Sequence, residues 1–230
     1  WISTHDTGTV CLYPMFAPNR REERREDVIV QLEHEARFSI QNIVDFTEFE
    51  LHNRFLEGTG SMVLDRINRK AYAAISSRTD ETALLHFCQE LDYEPVAFSA
   101  MQSAEGKRHP IYHTNVMMSI GTRFCAICLD SIDDAEERQA VSDELASDGR
   151  EIIALSESQI EQFAGNMLEL EGSNGPVIVM STSAFHALDS EQIKRLKKHG
   201  QIIHSDLETI ETCGGGSARC MIAEIHLPRA

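Results

Sequence analysis

The chain has 230 residues, of which 42% are apolar and 25% are charged, a composition typical of a globular domain. Its formal net charge is −16, so it would repel the phosphate groups of nucleic acids, and we expect no nucleic-acid partner. The sequence contains no apolar run of about 18 residues, the length needed for a helix to span a membrane, so we expect no membrane partner.

The six cysteines are dispersed through the sequence, which predicts free thiols and a cytoplasmic location. Cys125 and Cys128 form a C-x-x-C pair, but they lie within an apolar segment at 124–129 and no second pair completes a zinc site. We therefore interpret this pair as part of the core and expect neither a metal nor another cofactor.

The predicted elements follow one another in a repeating order. The first region is expected to contain a strand at 9–15, a helix at 20–35 and a strand at 38–44. The second contains a Gly-rich segment and strand at 55–65, a strand at 70–75, a helix at 80–91 and a strand at 95–98. The third has strands at 113–120 and 124–129, a helix at 133–145 and a strand at 151–155. The fourth follows a short helix at 158–163 and has strands at 166–170 and 177–180, a helix at 190–199 and a strand at 201–204. A lone strand is predicted at 221–227. The arginines and glutamates at 20–26 are interpreted as a solvent-exposed helix face.

The helix-opening acids Asp80, Asp133 and Asp189 stand 53 and 56 residues apart, which indicates one supersecondary unit used several times. A unit this small cannot bury both faces of a sheet, so we expect the units to pack side by side. The predicted fold is a single α/β domain over 1–230, a propeller of ββαβ units around a central channel. The lone last strand would close the ring against the first unit. Because the sequence begins at Trp1 rather than at a methionine, we expect that unit to begin before Trp1.

Polar residues where the strands begin should converge on the channel. Cys220 follows the glycine run at 214–216, and Glu57 precedes Gly58. The third unit offers His113 and Asn115, which a strand would place on one face, and the fourth offers Asn166. A cysteine can attack a substrate, a histidine can transfer the proton and a carboxylate can hold a cation. Taken singly, each of these residues is also compatible with a structural role.

The sequence resembles the guanidino-group-modifying enzymes, called the pentein or amidinotransferase superfamily. The arginine deiminase-related branch of the citrulline-utilization hydrolase type is the most similar. The resemblance is carried by segments spread over nearly the whole chain, at 1–5, 13–21, 55–61, 112–118, 163–167 and 214–221. It implies a five-bladed ring of ββαβ modules around a polar channel.

The same resemblance implies that Cys220 is the nucleophile, His113 the general acid and base, and Glu57 the carboxylate that contacts the guanidino group or orients the histidine. Arg78 corresponds to an arginine that binds the substrate α-carboxylate. We expect three further residues to bind substrate: Asn115, Asn166 and Arg219.

Two positions depart from the deiminase pattern. Asn115 stands where the deiminases carry an aspartate, and Ser61 replaces the aspartate after the glycine pair, with Thr59 inserted between the glycines. An amide at position 115 suits a neutral ureido group better than a cationic guanidinium.

The resemblance thus predicts a hydrolase that cleaves a C–N bond of a guanidino or ureido group in arginine, citrulline or a methylated arginine. Cys220 would form a covalent intermediate, and His113 would protonate the departing amine and then activate water. The partner is therefore a small-molecule guanidino or ureido amino acid, and a homodimer is left open. Two alternatives stay open: an amidinotransferase, in which an amine replaces water, and a non-catalytic binding protein of the same fold.

Overall fold

Four three-stranded sheets of the same topology are present in the computed structural model, which describes residues 1–104 and 106–230. In each sheet the first strand runs antiparallel to the second, and the third runs parallel to the second. The strands of the first two sheets are β1 (Ile2–Thr4), β2 (Thr9–Leu12), β3 (Asn42–Asp45), β4 (Val63–Asp65), β5 (Lys70–Ala74) and β6 (Glu94–Phe98). A hairpin follows, made of β7 (Met101–Ala104) and β8 (Lys107–Pro110). The strands of the last two sheets are β9 (Met118–Ile120), β10 (Phe124–Ile127), β11 (Glu151–Ala154), β12 (Leu168–Gly172), β13 (Gly175–Ser181) and β14 (Gln201–Ser205).

Each pair of parallel strands needs a crossover connection, and a helix supplies it in every unit. The helices are α1 (Glu26–His34), α2 (Gly58–Ser61), α3 (Glu81–Leu91), α4 (Thr114–Met117), α5 (Ala135–Ser147), α6 (Glu157–Ile160), α7 (Thr182–Ala187), α8 (Ser190–Leu196) and α9 (Glu208–Gly214). Shorter 3-10 turns occur at Pro18–Glu23, Thr47–His52, Leu129–Ser131 and Arg219–Met221. The crossovers are α1, α3, α5 and α8, so the predicted ββαβ unit is confirmed.

Aspartate side chains cap three of the crossover helices. Asp80 accepts a hydrogen bond from Ala83 N, and Asp189 accepts from the backbone N–H groups of the first turn of α8. Both caps were predicted. In the third unit the cap is Asp134 rather than Asp133. A side-chain oxygen at this position satisfies N–H groups that have no partner within the helix, so it fixes where each helix begins.

Neighbouring units share their apolar cores. The larger cluster joins the second, third and fourth sheets through side chains such as Tyr72, Phe124 and Ile178. The smaller cluster joins the first and second units through side chains such as Tyr13 and Phe87. The units therefore pack side by side, as the small size of a single unit requires.

The predicted helix at 20–35 is two elements rather than one. A 3-10 turn covers Pro18–Glu23, and α1 begins only at Glu26, because Arg25 adopts an extended backbone with φ −98° and ψ 112°. Arg21 and Arg24 turn inward and form ion pairs with Glu50. These contacts override the local helical pattern, so the expectation of an uninterrupted exposed face at 20–26 is wrong.

The predicted strand at 113–120 is also wrong in its first half. His113 is the N-cap residue of the one-turn helix α4, and the strand begins at Met118. The Thr114 hydroxyl fixes this turn: it donates to Ser61 O at 2.5 Å and accepts from Ala74 N at 2.8 Å. The expectation that His113 and Asn115 lie on one face of a strand therefore does not hold.

The segment 221–227 forms no strand. It runs in an extended conformation beside the first unit, where Thr4 Oγ1 donates to Glu224 O at 3.1 Å and accepts from His226 N at 2.8 Å. Two residues beyond this segment, Arg229 forms an isolated antiparallel bridge with Phe38. A contact between this segment and the first unit was predicted. Hydrogen bonds to the Thr4 side chain supply that contact, rather than pairing between two strands.

No helix in the described part of the chain has the length and apolar character needed to cross a membrane.

Candidate active site

Cys220 lies at the surface in a 3-10 turn, five residues after the glycine residue Gly215. Gly215 ends helix α9 in the left-handed conformation, with φ 68°, which reverses the chain toward Cys220. Gly216 packs closely against the cysteine: a Cβ added there would lie 3.1 Å from Cys220 Cβ and 3.5 Å from Sγ. The glycine run thus brings the thiol into position and leaves it accessible.

Gly216→Ala is expected to lower kcat about tenfold with little loss of stability. The added methyl group would displace the Cys220 side chain by a few tenths of an ångström and so misplace the reacting sulfur. Steady-state kinetics beside a thermal melt measures both quantities. The matched control is Gly214→Ala in the same run, where the nearest atom to an added Cβ is Ile210 Cγ2 at 3.9 Å. Equal kcat for both variants would contradict close packing at Cys220.

Glu57 and His113 form a buried pair. Glu57 Oε2 lies 2.7 Å from His113 Nε2, and the carboxylate side chain is 1% exposed. The two residues occupy equivalent positions, since each is the N-cap residue of a one-turn helix, α2 or α4, that leads into the first strand of its unit. Glu57 is also held by Phe16 N, which donates to Oε1 at 2.9 Å. With Glu57 ionised, His113 Nε2–H donates and Nδ1 carries the lone pair that can accept a proton.

The pKa values of both His113 and Glu57 are lowered from their ordinary values. Burial lowers the pKa of His113 below its ordinary value, and the neighbouring Glu57 carboxylate offsets part of this effect. Burial acts to raise the pKa of Glu57, but its hydrogen bond to His113 and the other donors outweigh burial and lower it. At neutral pH the site therefore contains an ionised carboxylate and a neutral imidazole, which is the form that can accept a proton.

Two amide side chains surround the thiol. Asn166 Nδ2 lies 3.2 Å from Cys220 Sγ and also donates to Asn115 O at 3.0 Å. Asn115 Nδ2 lies 3.9 Å from the same sulfur. Asn115 Oδ1 is buried and has no hydrogen-bond partner among the described residues, so it is available to accept an N–H group of a substrate.

Two arginines approach the Glu57 carboxylate from the open side. Arg78 Nη1 and Arg20 Nη1 each lie 3.6 Å from Glu57 Oε2. The Arg78 guanidinium also lies over the Tyr112 ring at 5.3 Å and the Phe16 ring at 5.8 Å. Both arginine side chains are about one-third exposed, so either can contact a molecule that enters from solvent.

The expectation that Arg219 binds substrate stays a prediction. Its backbone N–H donates to Asn166 Oδ1 at 3.0 Å, and its guanidinium donates to Glu224 Oε2 at 3.4 Å. Arg219 therefore helps to hold Asn166 through its backbone, while its side chain lies beside Glu224. The other predicted residues come together in this part of the structure: Cys220, His113, Glu57, Arg78, Asn115 and Asn166.

Sequence reasoning missed Arg20, Phe16 and Tyr112 as part of this site. Arg20 was hidden within a run of alternating charges, and the contact that distinguishes it, with Glu57, spans 37 positions of sequence. Tyr112 Oη donates to Gly215 O at 3.1 Å, which ties the segment carrying His113 to the turn before Cys220. The adjacency of Tyr112 to His113 was the available signal.

The other cysteines differ from Cys220 in their surroundings. Cys11, Cys88, Cys125 and Cys128 are buried, and only Cys213 and Cys220 are exposed among the six. Burial raises the pKa of the Cys11 and Cys88 thiols to about 12. Cys125 and Cys128 lie in the larger apolar cluster, which confirms their interpretation as core residues. Among the described residues, no group of three or more His, Cys, Asp or Glu side chains has an arrangement that could hold a metal ion.

Comparison with solved structures places this arrangement on a known fold. ArgZ, an arginine dihydrolase from the ornithine-ammonia cycle in cyanobacteria, has a TM-score of 0.70 at 16% identity, over 99% of this chain and 33% of that one. A dimethylarginine dimethylaminohydrolase adduct has a TM-score of 0.60 at 14% identity, over 96% and 74% of the two chains. SxtG, an amidinotransferase from Microseira wollei, has a TM-score of 0.60 at 15% identity, over 96% and 67%.

These likenesses establish the fold, a pentein-type α/β propeller of ββαβ modules, as the sequence predicted. The chain spans about a third of the length of ArgZ. A search of curated proteins gave no match. The profile of the eukaryotic N,N dimethylarginine dimethylhydrolase family matches residues 1–227. The chain therefore belongs to the N,N dimethylarginine dimethylhydrolase family, within the pentein or amidinotransferase superfamily.

Proposed function

We propose that this protein is a hydrolase that cleaves a C–N bond of a guanidino or ureido group through a covalent intermediate on Cys220. The observation that carries the proposal is the Cys220 thiol, 3.2 Å from the Asn166 amide, together with the buried Glu57–His113 pair. The hydrogen bond from Tyr112 Oη to Gly215 O ties the segment that carries His113 to the turn before Cys220.

In this mechanism His113 accepts the thiol proton, and Cys220 Sγ forms a bond to the central carbon of the substrate group. The C–N bond to the departing amine then breaks, and the His113 imidazolium returns its proton to that amine. A water molecule, deprotonated by His113, cleaves the C–S bond and regenerates the thiol. Glu57 stabilises the imidazolium in both steps from 2.7 Å.

The charges around the thiol favour a neutral ureido group over a cationic guanidinium. Arg20 and Arg78 both lie 3.6 Å from Glu57 Oε2, and that carboxylate is already engaged by His113. A substrate guanidinium would add a third positive charge here, whereas a ureido group would not. The Asn115 amide can accept from a ureido N–H group and does not require a cation. Citrulline therefore ranks before arginine and methylated arginine as a substrate.

A product screen tests the proposal. The protein is incubated separately with citrulline, arginine, dimethylarginine and agmatine, and ammonia, ornithine and ureido products are quantified. The matched control is Cys220→Ala. Product release from at least one substrate that is lost in the control supports hydrolysis. Turnover that requires an added amine and transfers the group to it would indicate amidino transfer, and no turnover with any of the four would contradict the proposed activity.

Arg78→Ala is expected to raise KM for amino-acid substrates about tenfold or more, because the guanidinium would no longer bind the α-carboxylate, and charge-assisted hydrogen bonds are the strong ones. Agmatine, which lacks that carboxylate, provides the comparison substrate, and its KM should change much less. The control variant is Arg25→Ala, an exposed arginine that pairs with Asp27 away from the site. Equal effects on both substrates would exclude Arg78 as the carboxylate ligand.

A further inference from the structure

A cavity lined by residues of three units is separate from the site around Cys220. Its volume is about 260 Å³, and it is lined by the first strands of three units, β4, β9 and β12, together with the C-terminal segment. Neither Glu57 nor His113 nor Cys220 lines it. Arg219 is shared by both places, because its backbone bonds Asn166 while its side chain lines the cavity.

The cavity contains a buried donor without an acceptor. The Arg219 side chain is 7% exposed, and its Nε has no hydrogen-bond partner among the described residues. Arg150 lines the same cavity, but its guanidinium is already engaged: Nη1 lies 2.6 Å from Asp65 Oδ2 and 3.3 Å from Asp148 Oδ2, and Nε donates to Gly121 O at 3.2 Å. Buried guanidinium N–H groups are rarely left unsatisfied, so an acceptor such as a carboxylate is the missing partner.

The lining of the cavity also carries carboxylates without cations. Glu169 and Glu171 stand two residues apart on β12, which places both on one face of the strand. Glu169 accepts from Thr122 N at 3.1 Å, and neither glutamate forms an ion pair with a described residue. By contrast, the cavity carboxylates Asp65 and Glu224 are already paired with Arg150 and Arg219.

The overall charge of the lining favours a cationic ligand. Three arginines, Arg66 included, face four carboxylates, so the arginines and carboxylates of the lining sum to one net negative charge. A molecule with one carboxylate and two ammonium groups neutralises that charge and satisfies both the Arg219 donor and the two unpaired glutamates. A simple anion would be repelled by the two unpaired glutamates, and a diamine would leave the Arg219 donor unsatisfied.

We propose that this cavity binds a cationic α-amino acid, with its carboxylate at Arg219 and its side-chain ammonium at Glu169 and Glu171. Such a molecule is also what remains when a carbamoyl or amidino group is removed from a side-chain nitrogen. That link to the reaction product rests on the proposed function, whereas binding in the cavity does not.

Isothermal titration of L-ornithine into Cys220→Ala protein tests the site, with L-norvaline and 1,4-diaminobutane as probes that lack the side-chain ammonium or the carboxylate. We expect ornithine to bind, and Glu171→Lys to weaken one binding event about tenfold or more, since it replaces an attractive charge by a repulsive one. Norvaline and diaminobutane should bind this site at least tenfold more weakly than ornithine. Because Glu171 is exposed, folding should be unaffected, and Glu90→Lys on the surface of α3 is the matched control.

Arg78→Ala separates the two sites, because it alters binding beside Cys220 and not in the cavity. Ornithine affinity that changes less than twofold on Glu171→Lys would overturn the proposal, as would equal binding of all three probes or no binding of ornithine. These outcomes do not depend on turnover, so a failure of the cavity site is distinct from a failure of the product screen.

Discussion

Cys220→Ala is expected to abolish turnover and to leave substrate affinity largely intact. Without the thiol no covalent intermediate forms, whereas Arg78, Asn115 and Asn166 remain to hold the substrate. The loss should exceed the roughly 10²–10⁴-fold that acid–base assistance alone contributes. Single-turnover kinetics and equilibrium binding of the same substrate measure the two effects separately. Cys213→Ala, at the other exposed cysteine, is the matched control and should retain full activity.

Mass spectrometry gives an independent readout of the same residue. Protein treated with a substrate or with a haloacetamidine should gain a mass adduct on Cys220, and Cys220→Ala protein should gain none. The buried thiols of Cys11 and Cys88, whose pKa is raised to about 12, should stay unmodified. An adduct on Cys213, together with activity retained in Cys220→Ala, would contradict the assignment of the nucleophile.

Local sequence patterns were sufficient to predict the repeating units but not the contacts between those units. Asp80 and Asp189 cap the helices they were expected to cap, because capping depends on residues within one turn. His113–Ile120 was predicted as a strand from its apolar pattern, yet its first half is helix α4. That turn is fixed by the contact of Thr114 with Ser61, 53 positions away in sequence, which periodicity does not report.

In the candidate site, too, residues in local motifs were predicted, whereas contacts between residues distant in sequence were not. Cys220, His113 and Glu57 were predicted because each occurs in a recognisable local segment; the structure pairs Glu57 with His113 and places the Asn166 amide beside Cys220. Arg20 was missed because only its distance to Glu57 distinguishes it from the neighbouring arginines. Arg219 was predicted from its place beside Cys220, but the sequence did not predict the direction of its side chain, which depends on Glu224.

Glu57→Gln is expected to lower kcat about 10²–10⁴-fold while the protein stays folded. The amide has nearly the same shape as the carboxylate but carries no charge to stabilise the His113 imidazolium that forms when the thiol proton is transferred. Steady-state kinetics measures the loss, and Glu48→Gln, an exposed glutamate in the preceding 3-10 turn, is the control. The effects of Glu57→Gln and His113→Ala should not add in the double variant, because both act on the same proton transfers.

The pH profile distinguishes this role from a merely structural one. Burial lowers the pKa of His113 from its ordinary value of 6.5, Arg78 and Arg20 lower it further, and Glu57 raises it in part. Below that lowered pKa the imidazole is protonated and cannot accept the thiol proton, so kcat/KM should fall as the pH drops through a value below 6.5. Glu57→Gln removes the raising contribution, so the acid limb should move to still lower pH while the plateau falls. His113→Ala should remove this limb altogether. A limb that stays in place or moves to higher pH in Glu57→Gln would show that Glu57 does not set the protonation of His113.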